Sequence, residues 1–161
     1  MRPLAWGERG VYGVSTPLRS AKASDAAKSE WMKEGDLIRV RRMLFSHWAV
    51  YAGNGSVIHI TGKDVQNMSS AQLKVYIKKE KFEKMLAANT FAVASSQYDN
   101  RELLGFNFKP FTKSTILERL NRFLDKIYPY SPIFLNCEHF STFARYGTAI
   151  SDQVSIESLL N

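Results

Sequence analysis

The sequence predicts an α+β domain built on a mostly antiparallel sheet, with its strands early in the chain and its helices late. Three observations carry this. Between Leu37 and Ile77 the apolar residues fall in strand-length runs, some alternating with polar neighbours. Gly53-Asn54-Gly55 separates two such runs and is a hairpin signal, because Asn and Gly tolerate positive φ. After Ser114 the apolar residues recur every three or four positions, the spacing of one helix face. Strands followed by helices describe segregated layers rather than repeated β-α-β units.

Residues 1–28 mix Gly, Pro, Ser, Ala and scattered charges without a period, and read as a basic, flexible extension in which Trp6 and Tyr12 are potential docking points. Ala21 to Lys33 has the composition of a short helix leading into the domain, which spans 29–153. Gly35-Asp36 opens the folded region. Leu37-Ile38-Arg39-Val40 is the first expected strand, His47 to Ala52 the second and Ser56 to Thr61 the third. Leu73, Val75 and Ile77 alternate with Lys74, Tyr76 and Lys78, giving a fourth strand with one wet face, and Phe91 to Ala94 makes about five in all. Ser114 is the expected cap of a helix carrying Leu117, Leu120, Phe123, Leu124 and Ile127, ended by Pro129 and Pro132. A second helix begins at Asn136 or Cys137 and runs through Phe140, Phe143 and Ala144 to Gly147, a natural stop. Residues 154–161 are a tail.

At 161 residues and 45% hydrophobic, the chain can bury a real core without covalent or metal staples. One cysteine makes no internal disulfide, and the paired Cys/His spacing of a structural zinc site is absent. Met1 to Gly13 lacks the apolar run of a signal peptide, and no stretch approaches the roughly 18 apolar residues of a membrane span. The expected location is therefore cytoplasmic, with peripheral association at membranes. The net charge of +7 is locally concentrated: residues 74–84 hold five lysines to two glutamates, and residues 1–28 hold five basic side chains to two acidic ones. Such a balance suits an anionic partner, a phospholipid surface or a nucleic acid. Solvated lysines that keep a small domain soluble are the plain alternative.

The single cysteine stands in Asn136-Cys137-Glu138-His139-Phe140, and ninety residues upstream lies Ser46-His47-Trp48-Ala49-Val50-Tyr51. Asn136 is a good N-cap, which puts Cys137 in the first turn of a helix, where unpaired N–H groups and the helix dipole favour thiolate and can receive an oxyanion. His47, on a strand, is the candidate base for that nucleophile. His59 is the candidate third member that orients it. Parity constrains this: a plain two-residue Asn54-Gly55 turn makes paired numbers sum to 109 and puts the two histidines on opposite faces. A three-residue loop, or a bulge near Gly55, makes the sum 110 and brings both to one face. His139 projects away from the thiol and reads as structural, and Glu138 as a carboxylate matched to the helix dipole.

These residues resemble the lecithin:retinol acyltransferase-like family, most closely its branch of small phospholipase A/acyltransferases. The matching pieces are Gly35-Asp36-Leu37-Ile38, His47-Trp48-Ala49-Val50-Tyr51 with Gly53 and Gly55, His59, Asn136-Cys137-Glu138-His139-Phe140, Arg145-Tyr146-Gly147 and Ser151-Asp152-Gln153. The resemblance implies an NlpC-type, permuted papain-like α+β fold. It further implies Cys137 as nucleophile, His47 as base and His59 as third member, acting on a glycerophospholipid ester through an acyl-cysteine and passing the acyl group to water or an amine. No metal or cofactor is implied, since thiolate, imidazole and oxyanion donors suffice. Arg42 matches a basic family position and is a candidate ligand of lipid phosphate; Trp48 and Asn136 are further candidates around the substrate or oxyanion. Cellular members carry an apolar anchor after the position of Gln153, where this sequence has Val154 to Leu160, and its segment before Gly35 is longer. Both departures are similar to the picornavirus 2A proteins of the H-box/NC type. That likeness implies the alternative of an inactive relative serving viral replication through host-protein or RNA contacts.

Overall fold

Leu37-Ile38, Ala49-Val50-Tyr51 and Val57-Ile58 are apolar on consecutive residues, the pattern of strands covered on both faces. The computed structural model describes residues 17–62, 74–103, 105–129 and 136–151, and it buries these runs at the centre of a sheet. The elements are α1 (Asp25–Trp31), β1 (Leu37–Arg41), β2 (Ser46–Gly53), β3 (Ser56–Gly62), β4 (Lys74–Lys81), α2 (Phe82–Leu86) and β5 (Phe91–Val93). A short 3₁₀ turn follows at Ser95–Gln97, then β6 (Glu102–Leu103), β7 (Phe106–Asn107), α3 (Lys113–Asn121), β8 (Ile127–Pro129) and α4 (Cys137–Tyr146). Six strands form one antiparallel sheet in the order β5-β1-β2-β3-β4-β8, and β6 and β7 pair separately. Trp6, Tyr12, Leu73, Pro132, Asp152, Gln153 and the tail lie outside the described residues.

The alternation along each central strand sorts its side chains between two layers. Leu37, Trp48, Val50, Ile58, Ile60, Val75 and Ile77 pack against Ile116 and Leu120 of α3 and against Phe140, Ala144 and Tyr146 of α4. On the other face Ile38, Val40, Ala49, Tyr51 and Val57 pack with Met32, Phe82, Met85, Leu86 and Phe91. Within the segment read as an extension, Arg19 pairs with Phe91 and its guanidinium lies over Trp31, while Lys28 is buried and bonded to Glu83 at 2.6 Å.

The β2–β3 hairpin answers the parity question. Asn54 (φ 50) and Gly55 (φ 66) make a two-residue turn with both central residues at positive φ, and Gly53 pairs with Ser56. The register then shifts: Tyr51 pairs with Val57 and Val50 with Ile58, so paired numbers sum to 108 and Ala52 is the extra, bulged residue. The irregularity therefore lies in the first strand, at Ala52, rather than near Gly55. Its effect is the one required, because an even sum puts His47 and His59 on one face.

The late part of the chain differs from expectation. Thr112, not Ser114, caps α3, its Oγ1 accepting from Thr115 N, and the helix stops at Asn121 instead of running to Pro129. Asp125 turns the chain at φ 60, and Ile127 enters β8, where it is 67% exposed. The reason is the open edge of β4, whose main-chain groups pair with Ile127, Tyr128 and Pro129. Pro129 is tolerated there because an edge strand does not need its N–H. β8 thus becomes a sixth strand in the main sheet.

Candidate active site

Asn136 has extended backbone, and its Oδ1 accepts from the N–H groups of Glu138 (2.9 Å) and His139 (3.0 Å). His139 Nδ1 accepts in return from Asn136 N at 3.3 Å, a capping box with histidine in the acceptor role. Asn136 Nδ2 donates to Ser151 Oγ, and Ser151 Oγ and Tyr98 OH donate to the two carboxylate oxygens of Glu138 at 2.6 and 2.7 Å. Glu138 is fully buried, so these hydrogen bonds are what make its burial tolerable. The network holds Cys137 in the first turn of α4, 9% exposed. It also commits two of the first-turn N–H groups expected for an oxyanion to the Asn136 side chain.

On β2 and β3 the two imidazoles meet edge to face, with His47 Nε2 2.7 Å from His59 Nδ1. His59 Nε2 is 2.7 Å from Glu80 Oε1. A carboxylate only accepts, so His59 carries its proton on Nε2 and presents Nδ1 as an acceptor. His47 then donates from Nε2, which leaves its Nδ1 lone pair as the proton acceptor of the chain. Burial, then the neighbouring His59 and Arg42, push the His47 pKa down to about 3. Burial likewise lowers His59, outweighing Glu80, which pulls the other way. Burial alone would raise Glu80, but His59 and the flanking Lys78 and Lys84 hold it below the ordinary carboxylate range.

Cys137 Sγ lies 3.9 Å from the carbonyl oxygen of Ser46, the residue before His47. His47 pairs across the sheet with Val40, and directly paired residues share a face. Its side chain therefore leaves on the Val40 and Ala49 side, whereas α4 packs on Trp48 and Val50. The thiol thus sits against the carbonyl of the residue that immediately precedes the imidazole. The Arg42 guanidinium donates to the carbonyls of Met85 (2.5 Å) and Leu86 (3.4 Å) at the end of α2. Trp48 is fully buried beside Tyr98. Glu80 is the site residue that sequence reasoning missed. In Lys78-Lys79-Glu80-Lys81 it looks like one more solvated charge, and only the pairing of His59 with Lys78 puts it beside the ring.

Arg145-Tyr146 tie this helix to the start of the sheet. Arg145 forks onto Asp99 at 2.7 and 2.9 Å and donates to Gly35 O at 2.7 Å, while Tyr146 OH donates to Asp99 at 2.6 Å. A family model described as lecithin retinol acyltransferase matches residues 30–150. Human phospholipase A and acyltransferase 2 is 33% identical over 75% of this chain and 75% of its own length. Human phospholipase A and acyltransferase 3 is 32% identical over 76% of this chain and 75% of its own length. Human phospholipase A and acyltransferase 5 is 28% identical over 95% of this chain, which spans 60% of that relative. The α+β architecture agrees with the NlpC-type, papain-like fold that the resemblance implies, and with it the chain belongs to the lecithin retinol acyltransferase family.

Proposed function

We propose that this chain is a thiol-dependent phospholipase A/acyltransferase that acts on glycerophospholipid esters through an acyl-cysteine. The observation that carries the reading is the His47–His59–Glu80 relay, 2.7 Å at each link, which leaves His47 Nδ1 as an acceptor at the end of β2 touched by Cys137. The substrate class rests on the names of the relatives, phospholipase A and acyltransferase. In this reading the Cys137 thiol gives its proton to His47, and Sγ bonds to the ester carbonyl carbon. The ester C–O bond breaks, and the leaving oxygen takes the proton back from His47. Water or an amine then attacks the thioester, releasing acid or amide and restoring the thiol. An imidazole so averse to charge works as a base when the thiolate it creates stands beside it and stabilises the cation. Among the described residues no helix is long and apolar enough to cross a membrane, and the proposed setting is peripheral, at a cytoplasmic lipid surface.

The second reading is an inactive relative of the picornavirus 2A type, acting through host-protein or RNA contacts. It is favoured by the Asn136 side chain, which occupies the Glu138 and His139 N–H groups that an oxyanion would use. Fatty acid release from phosphatidylcholine micelles separates the two. The enzyme reading expects release by wild type and background from Cys137→Ala; background from both removes it and leaves the second.

A further inference from the structure

We propose that the β1–β2 turn, Met43-Leu44-Phe45, is a finger that enters a phospholipid surface and brings the Cys137 end of the sheet against it. Met43 is 95% exposed, Leu44 91% and Phe45 59%. Single exposed apolar residues need no explanation, but three consecutive large ones are a fault in a soluble domain unless they meet something. Nor is the segment a loose loop. Arg42 N donates to Phe45 O at 2.9 Å, closing a tight turn with Met43 and Leu44 at its tip. The Arg42 side chain anchors that turn to the end of α2 through the Met85 and Leu86 carbonyls. The finger is thus held out in advance, with little ordering left to accompany binding.

The shape selects the partner. A stable protein interface takes roughly 800 Å² from each side, arranged as a broad patch. A narrow tip of three residues is too small for that and suits insertion into the boundary of headgroups and acyl chains, where binding follows buried apolar area. The surroundings fit an anionic surface: Arg41 and Arg42 precede the tip, and exposed Lys74 begins β4 at the same end of the sheet, on a chain of net charge +7. The position fits as well. Phe45 is followed directly by Ser46, whose carbonyl touches the Cys137 thiol, so a tip in the lipid holds the thiol near the plane of the esters. The purpose of the finger rests on the lipid-ester reading above; the insertion itself stands on exposure and geometry.

The test is co-sedimentation with vesicles of equal parts phosphatidylcholine and phosphatidylserine, beside hydrolysis of a water-soluble thioester. Wild type and Cys137→Ala are expected to bind vesicles alike. Leu44→Asp, and Met43→Ser combined with Leu44→Ser, are expected to lower the partition coefficient about ten- to a hundredfold. Circular dichroism and thioester hydrolysis should be unchanged in these variants, because the altered side chains touch neither core nor relay. Vesicle binding by Leu44→Asp equal to wild type overturns the finger whatever the activity, as does failure of wild type to sediment. Loss of binding on Leu44→Asp, with no hydrolysis by any form, keeps the finger and removes the enzyme reading. A change from dimer to monomer on Leu44→Asp, with vesicle binding intact, assigns the tip to a second copy of the chain and overturns the proposal.

Discussion

Glu80 sets the protonation pattern of both imidazoles from the far end of the relay, because its carboxylate can only accept from His59 Nε2. Glu80→Gln preserves the shape, and with Lys78 and Lys84 drawing its oxygen, its amide NH2 faces His59; in that orientation the tautomers reverse and His47 Nδ1 loses its lone pair. If the relay serves a thiol, kcat/KM for fatty acid release falls at least about tenfold, inside the roughly 10²–10⁴ that general acid–base groups contribute. Thermal melting of the variant, read in parallel, shows that the fold survives. The same burial makes the protein acid-sensitive. The folded His47 pKa is near 3 against an ordinary 6.5, so between those values the unfolded chain binds the extra proton. Stability is then present above about pH 6.5 and is lost as pH falls toward 3, by up to about 1.4 kcal/mol per unit. His59 and His139, also lowered by burial, add in the same direction. Urea titrations at about pH 7 and about pH 5 should differ by roughly 2 kcal/mol from His47 alone, and His47→Asn should flatten that slope.

Two local devices do most of the positioning among the elements. The Ala52 bulge gives β2 one residue more than β3 and thereby turns His59 to the His47 side. Gly53 accompanies it at φ 83, where an added Cβ would run into the Glu34 side chain. The Asn136 cap fixes the start of α4 and hence the seat of the thiol. Asn136→Ala leaves two N–H groups without their acceptor and deprives Ser151 of a donor. Chemical denaturation should register a loss of about 1–2 kcal/mol. Helices were legible where sequence carried both a cap and a stop, as in Asn136 to Gly147. They were misread where apolar spacing continued past the real end, because Phe123, Leu124 and Ile127 keep a helical rhythm while serving a turn and an edge strand.

Across the whole molecule the central sheet is covered on both sides, and α4 is joined to the beginning of the sheet by the Arg145, Asp99 and Tyr146 group. Arg145 is 9% exposed, and although burial works against its charge, Asp99 holds its pKa above the ordinary value. Arg145→Met strands Asp99 beside Tyr146 and removes the donor to Gly35 O, which should destabilise by roughly 3 kcal/mol in a urea titration. Double substitution with Asp99→Asn should recover part of that loss, since it removes the uncompensated charge.

The class of fold, the order of its central strands along the chain, the capped start of α4 and the residues that carry family membership are all readable in the amino-acid order. Those are properties of local chemistry: apolar spacing, a cap, a turn that needs positive φ. Which strand bulges, that Glu80 closes on His59, and that Cys137 seats against the Ser46 carbonyl follow from the folded chain alone. Register and burial are set by residues far apart in the chain, and a shift of one position reverses every side chain of a strand.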